Sequence, residues 1–379
     1  MSEKQSSPPQ FRVQTIELFF DLVFVFTITQ VTHLVEHAHG AIDYLHAFSI
    51  LMLVWWMYGG YIWLTNHAHA PKSMRLVLIA AMAGFLAMAL AIPDSNGAGR
   101  LPFGIAYLFV VLLHFLAFVW QGGAGAARAM LRIVPFNITA ALLVISAGLI
   151  DTNWNWILLL APVFLYLIVA VFNTGEGFAL DSSHFVERHG LLLIIVLGEI
   201  VIAVGTGFNA PPRDLTSLLA LVLALAVIAA LWWSYFDRDD ARAEHNMLAR
   251  DNRGRTRIAL FGFNGAYLVM MGGLILVAAG LKASLGEMTG EETIDQGAAA
   301  LHGNDILLLW GLALYLAGNG LFKIVLGLQP ALPRLVAGLV FAAAAAYHPP
   351  LHGLLLVALG LVLVVVTLAA ESAASHSMS

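Results

Sequence analysis

Two acidic residues, Glu17 and Asp21, lie four residues apart within an otherwise apolar stretch. On a helix this spacing places both side chains on one face, about 6 Å apart. A carboxylate inside a bilayer is costly and usually faces a bundle interior or a water-filled path. Two carboxylates this close in a low-dielectric medium are expected to share a proton or to bind a cation. The structural alternative places Glu17 at the headgroup level, paired with Arg12 or Arg75.

The composition indicates a membrane protein. Of the 379 residues, 60% are hydrophobic and 11% are charged, and the mean hydropathy is +0.85. A soluble domain has about half apolar and a quarter charged residues. The net charge of -5 gives no indication of nucleic-acid binding, and the absence of cysteine excludes disulfides and thiolate metal sites. Met1 to Arg12 lacks the pattern of a cleaved signal peptide, so the first helix is expected to direct insertion.

Apolar runs of about 20 residues, long enough to cross a bilayer, recur along the chain. Two of them are short, because 75–92 stops at Pro93 and 332–347 stops before Pro349 and Pro350. We therefore predict an all-α integral membrane protein with about twelve transmembrane helices. They lie near 14–35, 42–64, 75–92, 101–120, 132–150, 154–173, 189–208, 214–236, 256–281, 304–327, 332–347 and 350–370.

The distribution of positive charge predicts the orientation. With these spans, fifteen of the eighteen Lys and Arg residues fall at or near one side, and only Arg100, Arg213 and Lys282 fall on the other. Lys and Arg accumulate in cytoplasmic loops. Both termini are therefore predicted to be cytoplasmic, which agrees with an even number of spans.

Two parts of the chain resemble each other. Trp55-Trp56-Met57-Tyr58 in the second helix matches Trp232-Trp233-Ser234-Tyr235 in the eighth, and the preceding helices both carry acids. We predict two parallel six-helix repeats, 1–173 and 189–379, joined by a linker at 174–188. The alternative is a chance recurrence of aromatic pairs in a chain with nine tryptophans.

The seventh predicted helix carries a further acid, Glu199, eleven residues after Arg188. Both fall on one helical stripe, and Gly198 would allow close backbone approach beside the acid. Packing alone is the alternative, but an acid at this depth favours function. The duplication places Asp21 and Glu199 opposite each other as the central pair, with Glu17 as a partner and Arg188 as an electrostatic gate.

Other residues give less specific indications. His33 and His37 have a spacing that could bind zinc, although a solvated cap is favoured. His114, Asn137 and Asn264 are expected to form interhelical hydrogen bonds. Some aromatic residues could form a stacking or cation–π wall around a ligand, whereas Trp232 and Trp233 are more typical of interfacial anchors. The candidate wall residues are Trp55, Trp56, Tyr58 and Tyr235.

At these residues the chain resembles the bacterial low temperature requirement protein A family. The matching segments are Glu17 to Val25, Trp55-Trp56 with Asn66 and Arg75 downstream, Glu187 to Glu199, and Tyr235-Phe236-Asp237. The resemblance fades after Leu281, and Asn66-His67-Ala68 departs from the Asn-Arg-Phe of many relatives. It implies an integral protein of the bacterial plasma (inner) membrane with a poorly defined biochemical role.

Three functions follow as hypotheses. The first is a secondary transporter coupled to protons or cations, with Glu17, Asp21, Arg188 and Glu199 binding the ion or a small solute. The second is a cation channel with two six-helix repeats. The third is a membrane enzyme or ligand-binding sensor, although no nucleophile–base pair, P-loop or dinucleotide signature is found in a suitable context. The sequence identifies no cofactor, and homo-oligomer formation is left open.

Overall fold

All regular secondary structure in the described residues is helical. The computed structural model describes residues 13–68, 72–121, 123–150, 154–172, 180–208, 214–288, 306–347, 349, 351 and 353–378. Within those ranges, eleven helices are long and apolar enough to cross a membrane. The prediction of an all-α membrane protein is confirmed.

The described residues form fourteen α-helices, one 3-10 turn and one π-helical segment. The 3-10 turn, Ile92–Asp94, follows the third α-helix. The π-helical segment, Ala259–Ala266, lies between the tenth and the eleventh α-helix. In chain order they are α1 (Thr15–Glu36), α2 (Ala41–Ala68), α3 (Lys72–Ala91), α4 (Arg100–Gln121), α5 (Gly123–Leu149), α6 (Asn155–Phe172), α7 (Ser182–Thr206), α8 (Leu215–Phe236), α9 (Asp239–Leu248), α10 (Asn252–Ile258), α11 (Tyr267–Met288), α12 (Ile306–Leu326), α13 (Leu332–Tyr347) and α14 (Gly353–Met378).

The predicted spans agree with these helices except at a few ends. Helix α7 begins at Ser182, inside the predicted linker 174–188, and α5 begins at Gly123 rather than near 132. Helix α13 has 16 residues, which corresponds to about 24 Å. That length is less than the roughly 30 Å of a bilayer core, so α13 is an apolar helix too short to cross unaided.

Capping residues explain where the two helices that carry the site begin. Asp181 precedes α7, and its side chain accepts a hydrogen bond from the His184 backbone N–H at 3.1 Å. At the start of α1, Gln14 and Glu17 form a capping box, in which the Gln14 N–H donates to Glu17 Oε2 at 2.9 Å. Glu17 is thus fixed in the first turn of α1, and Arg188 lies almost two turns inside α7.

The exterior of the bundle is apolar and its interior contains charge. Leu76 and Leu339 are 72% and 71% exposed, whereas Glu17, Asp21 and Arg188 are completely buried. This arrangement is the reverse of a soluble protein and suits a surface in contact with lipid.

Helix α1 packs near the centre of the bundle, against α2, α3, α7 and α11. Its aromatic residues form a stack with α2, in which the rings of Phe24 and Tyr58 lie 3.8 Å apart. Phe20 packs between Tyr58 and Phe85. These contacts hold α1, α2 and α3 together beside the acids at the start of α1.

Candidate functional site: a buried carboxylate cluster

A single guanidinium bridges the two acids of α1. Arg188 donates from Nη1 to Glu17 Oε1 at 2.9 Å and from Nη2 to Asp21 Oδ1 at 3.0 Å. Tyr58 donates its hydroxyl hydrogen to the same Asp21 oxygen at 2.8 Å. Arg188 Nη1 also donates to Thr65 Oγ1. The four-residue spacing of Glu17 and Asp21 therefore matches the fork of one arginine.

A histidine completes the cluster on the side of Glu17. His184, one turn before Arg188 on α7, lies with Nε2 3.0 Å from Glu17 Oε2. Its other ring nitrogen, Nδ1, lies 3.2 Å from Asn66 Nδ2. We call the residues Glu17, Asp21, Arg188 and His184 the carboxylate cluster. All four are buried, with side-chain exposures of 0%.

The hydrogen bonds of Asn66 fix the protonation of His184. The Asn66 Oδ1 atom accepts from the Asp181 backbone N–H at 2.9 Å, so its Nδ2 must be the amide donor. Nδ2 then donates to His184 Nδ1, which must be unprotonated. His184 is therefore neutral, with its hydrogen on Nε2, where it donates to Glu17.

The charges of the carboxylate cluster do not balance. Two carboxylates face one guanidinium, and the neutral His184 adds no charge. The remaining Asp21 oxygen, Oδ2, is buried and has no hydrogen-bond partner among the described residues. A buried charge without a partner costs several kcal/mol. Among the described residues the cluster therefore has one more acid than base, and Asp21 Oδ2 is its acceptor without a hydrogen-bond partner.

An apolar wall separates these charges from lipid. The Arg188 guanidinium carbon lies 5.7 Å from the centre of the Phe20 ring, which is within the range of a cation–π contact. Phe20 and Phe24, on the same helix, are fully buried. A low-dielectric surrounding strengthens each of the hydrogen bonds that the cluster makes.

The predicted central pair of Asp21 and Glu199 is not found in the structure. Glu199 Oε1 instead accepts a hydrogen bond from Thr29 at 2.8 Å. Thr29 follows Asp21 by eight residues on α1, which corresponds to about 12 Å along the helix. Gly198 is exposed, and a Cβ at this position would meet nothing within 4 Å. The glycine therefore takes no part in a close contact between helices. Arg188 pairs with Asp21, and Glu199 lies eleven residues further along α7, about 16 Å away along the helix axis, so it meets Thr29 instead.

The four aromatic candidates have different partners. Tyr58 belongs to the carboxylate cluster. Trp55 is buried and donates from Nε1 to the backbone oxygen of Asn264 at 2.8 Å. Trp56 donates to Asn137 Oδ1 at 3.0 Å. Tyr235 lies elsewhere, against Tyr267 and Phe322. The four residues therefore do not form a single wall.

The proposed anchors and the histidines of the first loop have other surroundings. Trp232 and Trp233 are 41% and 56% exposed, as lipid-facing residues would be. The rings of His33 and His37, at the end of α1, contact each other at a tilt of 36° with their centres 4.3 Å apart. Across the described part of the chain, no group of three or more His, Asp and Glu side chains has the arrangement of a metal site.

A second group of buried charges was not predicted from the sequence. Arg334 pairs with Asp239 at 2.7 Å and with Glu371 at 2.7 Å, and Lys323 contacts both acids. We call these four residues the balanced cluster, because two acids face two buried cations; the partly exposed Arg242 lies further from Asp239, at 3.8 Å. Lys323 and Arg334 are among the fifteen positive charges that the sequence places at or near the cytoplasmic side, and only the packing of α9, α12, α13 and α14 shows their partners.

The residues missing from the predicted site were His184, Thr65 and Asn66. His184 precedes Arg188 by four residues, the helical spacing that places two side chains on one face. This signal was available in the sequence. Thr65 and Asn66 lie on α2, and nothing in their local sequence indicates that they meet α7.

Comparison with known proteins gives a family but no biochemical activity. The family model of the bacterial low temperature requirement A protein matches residues 12–370. An uncharacterized protein of Rhizobium meliloti (strain 1021) is 25% identical over 321 residues, which cover 81% of this chain and 78% of that protein. No solved structure matches the chain. The match across nearly the entire chain shows that this protein belongs to the bacterial low temperature requirement A (LtrA) family.

Proposed function

We propose that this protein is a secondary transporter in which the carboxylate cluster binds the coupling ion, a proton or a monovalent cation. The observation that carries the proposal is the charge imbalance of the cluster. Glu17 and Asp21 share one guanidinium while His184 is held neutral, and all are fully buried. Ionisable residues at this depth are typical of ion and proton pathways.

The imbalance gives the ion a defined effect on the cluster. With a proton or cation at Asp21 Oδ2, Arg188 and Glu17 are left as a matched pair. When the ion leaves, Arg188 must compensate both acids, which one guanidinium cannot do fully. The two states therefore differ in the forces between α1 and α7, and such a difference is what couples ion binding to a helix movement.

A second acid on the same helix pair extends the path. Glu199 on α7 bonds to Thr29 on α1, about two turns beyond the cluster. Under this proposal it exchanges the ion between the cluster and the other side of the membrane. Asp21 and Glu199 thus act in sequence rather than as one pair.

The layout that we propose is twelve crossings in two parallel halves, 1–173 and 189–379 with the linker 174–188 between them, and both termini in the cytoplasm of a bacterial cell. The balanced cluster supports an even number. Arg334 near the start of α13 contacts Glu371, eighteen residues into α14, so α13 leaves the cluster and α14 returns to it. Asp239, in the same cluster, comes just after α8. Helix α8 runs back to the side of the bundle on which α1 and α7 begin.

Ion flux through purified protein in liposomes tests the proposal. Vesicles enclosing a pH-sensitive dye receive a pH step, with Na⁺ or K⁺ gradients in parallel, and flux is compared with protein-free vesicles. We expect Asp21→Asn to reduce ion flux to background and Glu199→Gln to slow it strongly. Glu187→Gln is the matched control, since this acid adjoins Arg188 but is exposed. Flux in the Asp21→Asn protein equal to that of the unmodified chain would disprove the role of the cluster.

The same preparation separates a transporter from a cation channel. A transporter moves ions without sustained unitary currents, whereas a channel produces them in a voltage-clamped planar bilayer. Stepwise currents that disappear with Asp21→Asn would show that the cluster is the ion site of a channel and not of a transporter.

A further inference from the structure

A cavity lies between α2, α4, α5 and the π-helical segment, and it is separate from the carboxylate cluster. Its volume is about 60 Å³, several times the roughly 10–15 Å³ that one water molecule requires by this kind of measure. None of the four cluster residues lines it. Most of its wall is apolar, formed by Met57, Trp63, Phe118, Met130, Ile133 and Leu260.

One polar side chain in this wall has unused hydrogen-bonding groups. His114 is only 3% exposed, and neither of its ring nitrogens has a hydrogen-bond partner among the described residues. A neutral imidazole carries one donor and one acceptor. Leaving buried groups of this kind unpaired is unfavourable. No interhelical hydrogen bond of normal geometry is found for His114 among the described residues, so a group in the cavity can bond to its ring.

Two consecutive glycines of α2 make room for polar side chains at the cavity. A Cβ on Gly60 would lie 2.9 Å from His114 Nε2, and a Cβ on Gly59 would lie 2.5 Å from Asn264 Oδ1. Glycine inside a helix is less stable than alanine. At these two positions, only glycine leaves the space that His114 and Asn264 need to reach the cavity.

The other polar groups at the cavity are held in place. Asn137 accepts a hydrogen bond from Trp56 at 3.0 Å, and Trp56 in turn stacks on Tyr166 with ring centres 4.5 Å apart. The backbone of Asn264 accepts from Trp55. Contacts within the wall and behind it therefore fix these side chains. A preformed site of this kind loses little conformational entropy when a ligand binds.

We propose that this cavity binds a small uncharged alcohol with an apolar, preferably aromatic, body. A hydroxyl can donate to or accept from one imidazole nitrogen of His114, whichever tautomer the ring adopts. Trp56, Trp63 and Phe118 provide aromatic surfaces for the body of the ligand. No acid, lysine or arginine lines the cavity, which disfavours a charged ligand. This proposal is independent of the ion-transport function.

Photolabelling tests the proposal on the complete protein in lipid nanodiscs. The probe is benzyl alcohol that carries a trifluoromethyl diazirine, and labelled residues are mapped by peptide mass spectrometry. We expect saturable labelling on α2, α4 and α5 around Trp56 and His114. Benzyl alcohol should compete, whereas toluene, which lacks the hydroxyl, should compete about tenfold more weakly.

The comparison of the two competitors uses the unmodified chain, so it does not depend on a variant that folds. A His114→Phe variant keeps a planar ring but removes both nitrogens, and it should abolish the preference for benzyl alcohol. Trp233→Phe, at a lipid-facing position, should leave that preference unchanged. Labelling that does not saturate, labelling spread over lipid-facing residues, or equal competition by toluene would each overturn the proposal.

Discussion

Asp21 presents one oxygen to two donors and the other to none. Oδ1 accepts from Arg188 and Tyr58, whereas Oδ2 is buried without a partner among the described residues. Glu371, in the balanced cluster, has both oxygens in ion pairs with Arg334 and Lys323. The two acids are both buried at the centre of charged groups, but only one of them has an unused acceptor. Neutralising each of them should therefore have opposite consequences for stability.

We expect Asp21→Asn to leave stability unchanged or to raise it. The asparagine oxygen retains the bonds from Arg188 and Tyr58, and Glu17 and Arg188 become a matched pair. Glu371→Gln should instead destabilise the protein by about 3–5 kcal/mol, because Lys323 and Arg334 are left facing one acid. Thermal unfolding in detergent, followed by tryptophan fluorescence, measures both changes.

The control for this comparison restores the charge balance. In the double variant Lys323→Met with Glu371→Gln, Asp239 and Arg334 remain as a pair, and part of the lost stability should return. Equal loss of stability in Asp21→Asn and Glu371→Gln would contradict the difference in charge that distinguishes the two clusters.

The site could be predicted from the sequence only where its parts are local. The spacing of Glu17 and Asp21 places both on one face of α1, and the structure brings them to a common partner. The identity of that partner depended on where α7 begins, and the start was placed at 189 instead of Ser182. Asp181 directly before Ser182 is of a residue type that favours a helix N-terminus, so the sequence contains a local signal for this start.

At the scale of the helices, α11 and α12 are packed closely through glycines. A Cβ on Gly311 would lie 2.5 Å from the Val277 backbone nitrogen, and a Cβ on Gly318 would lie 2.8 Å from the Met270 nitrogen. Gly273 and Gly280 face α12 in the same way. Without a hydrophobic force between helices in lipid, close van der Waals contact at small residues is a main source of association.

Gly311→Val should therefore destabilise the bundle by at least about 1–3 kcal/mol, since backbone atoms cannot move aside as a flexible side chain can. Gly198→Ala is the matched control, because a Cβ there meets nothing within 4 Å. That change should be neutral or stabilising by up to about 1 kcal/mol. Unfolding measured in the same detergent compares the two variants, and similar effects from both would show that the glycine contact contributes little.

Hydropathy predicted the helices well because each long apolar run has only one stable form in lipid, in which backbone groups bond within the helix. It was less informative for α13, whose 16 residues do not reach across by themselves. The predicted repeat remains a prediction. Its aromatic pairs lie in different surroundings, since Trp55 is buried whereas Trp232 and Trp233 are exposed.

At the scale of the whole molecule, the number of crossings decides whether the two ends of the chain share a side of the membrane. Arg250 and Ala373 belong to the side that we propose to be cytoplasmic, and Asn96, between α3 and α4, belongs to the other. All three are exposed, and the chain contains no cysteine. Single cysteines at these positions can therefore be labelled without first removing native ones.

In intact cells, a membrane-impermeant maleimide should label Asn96→Cys, while Arg250→Cys and Ala373→Cys should react only after the membrane is opened. The expectation rests on the positive charges near Arg250, on α13 and α14 crossing as a pair, and on the even count that results. Labelling of Ala373→Cys from outside would mean eleven crossings, and α13 would then be a helix that enters the membrane without crossing it. Labelling of Arg250→Cys from outside would reverse the orientation, and with it the side from which the ion reaches Asp21.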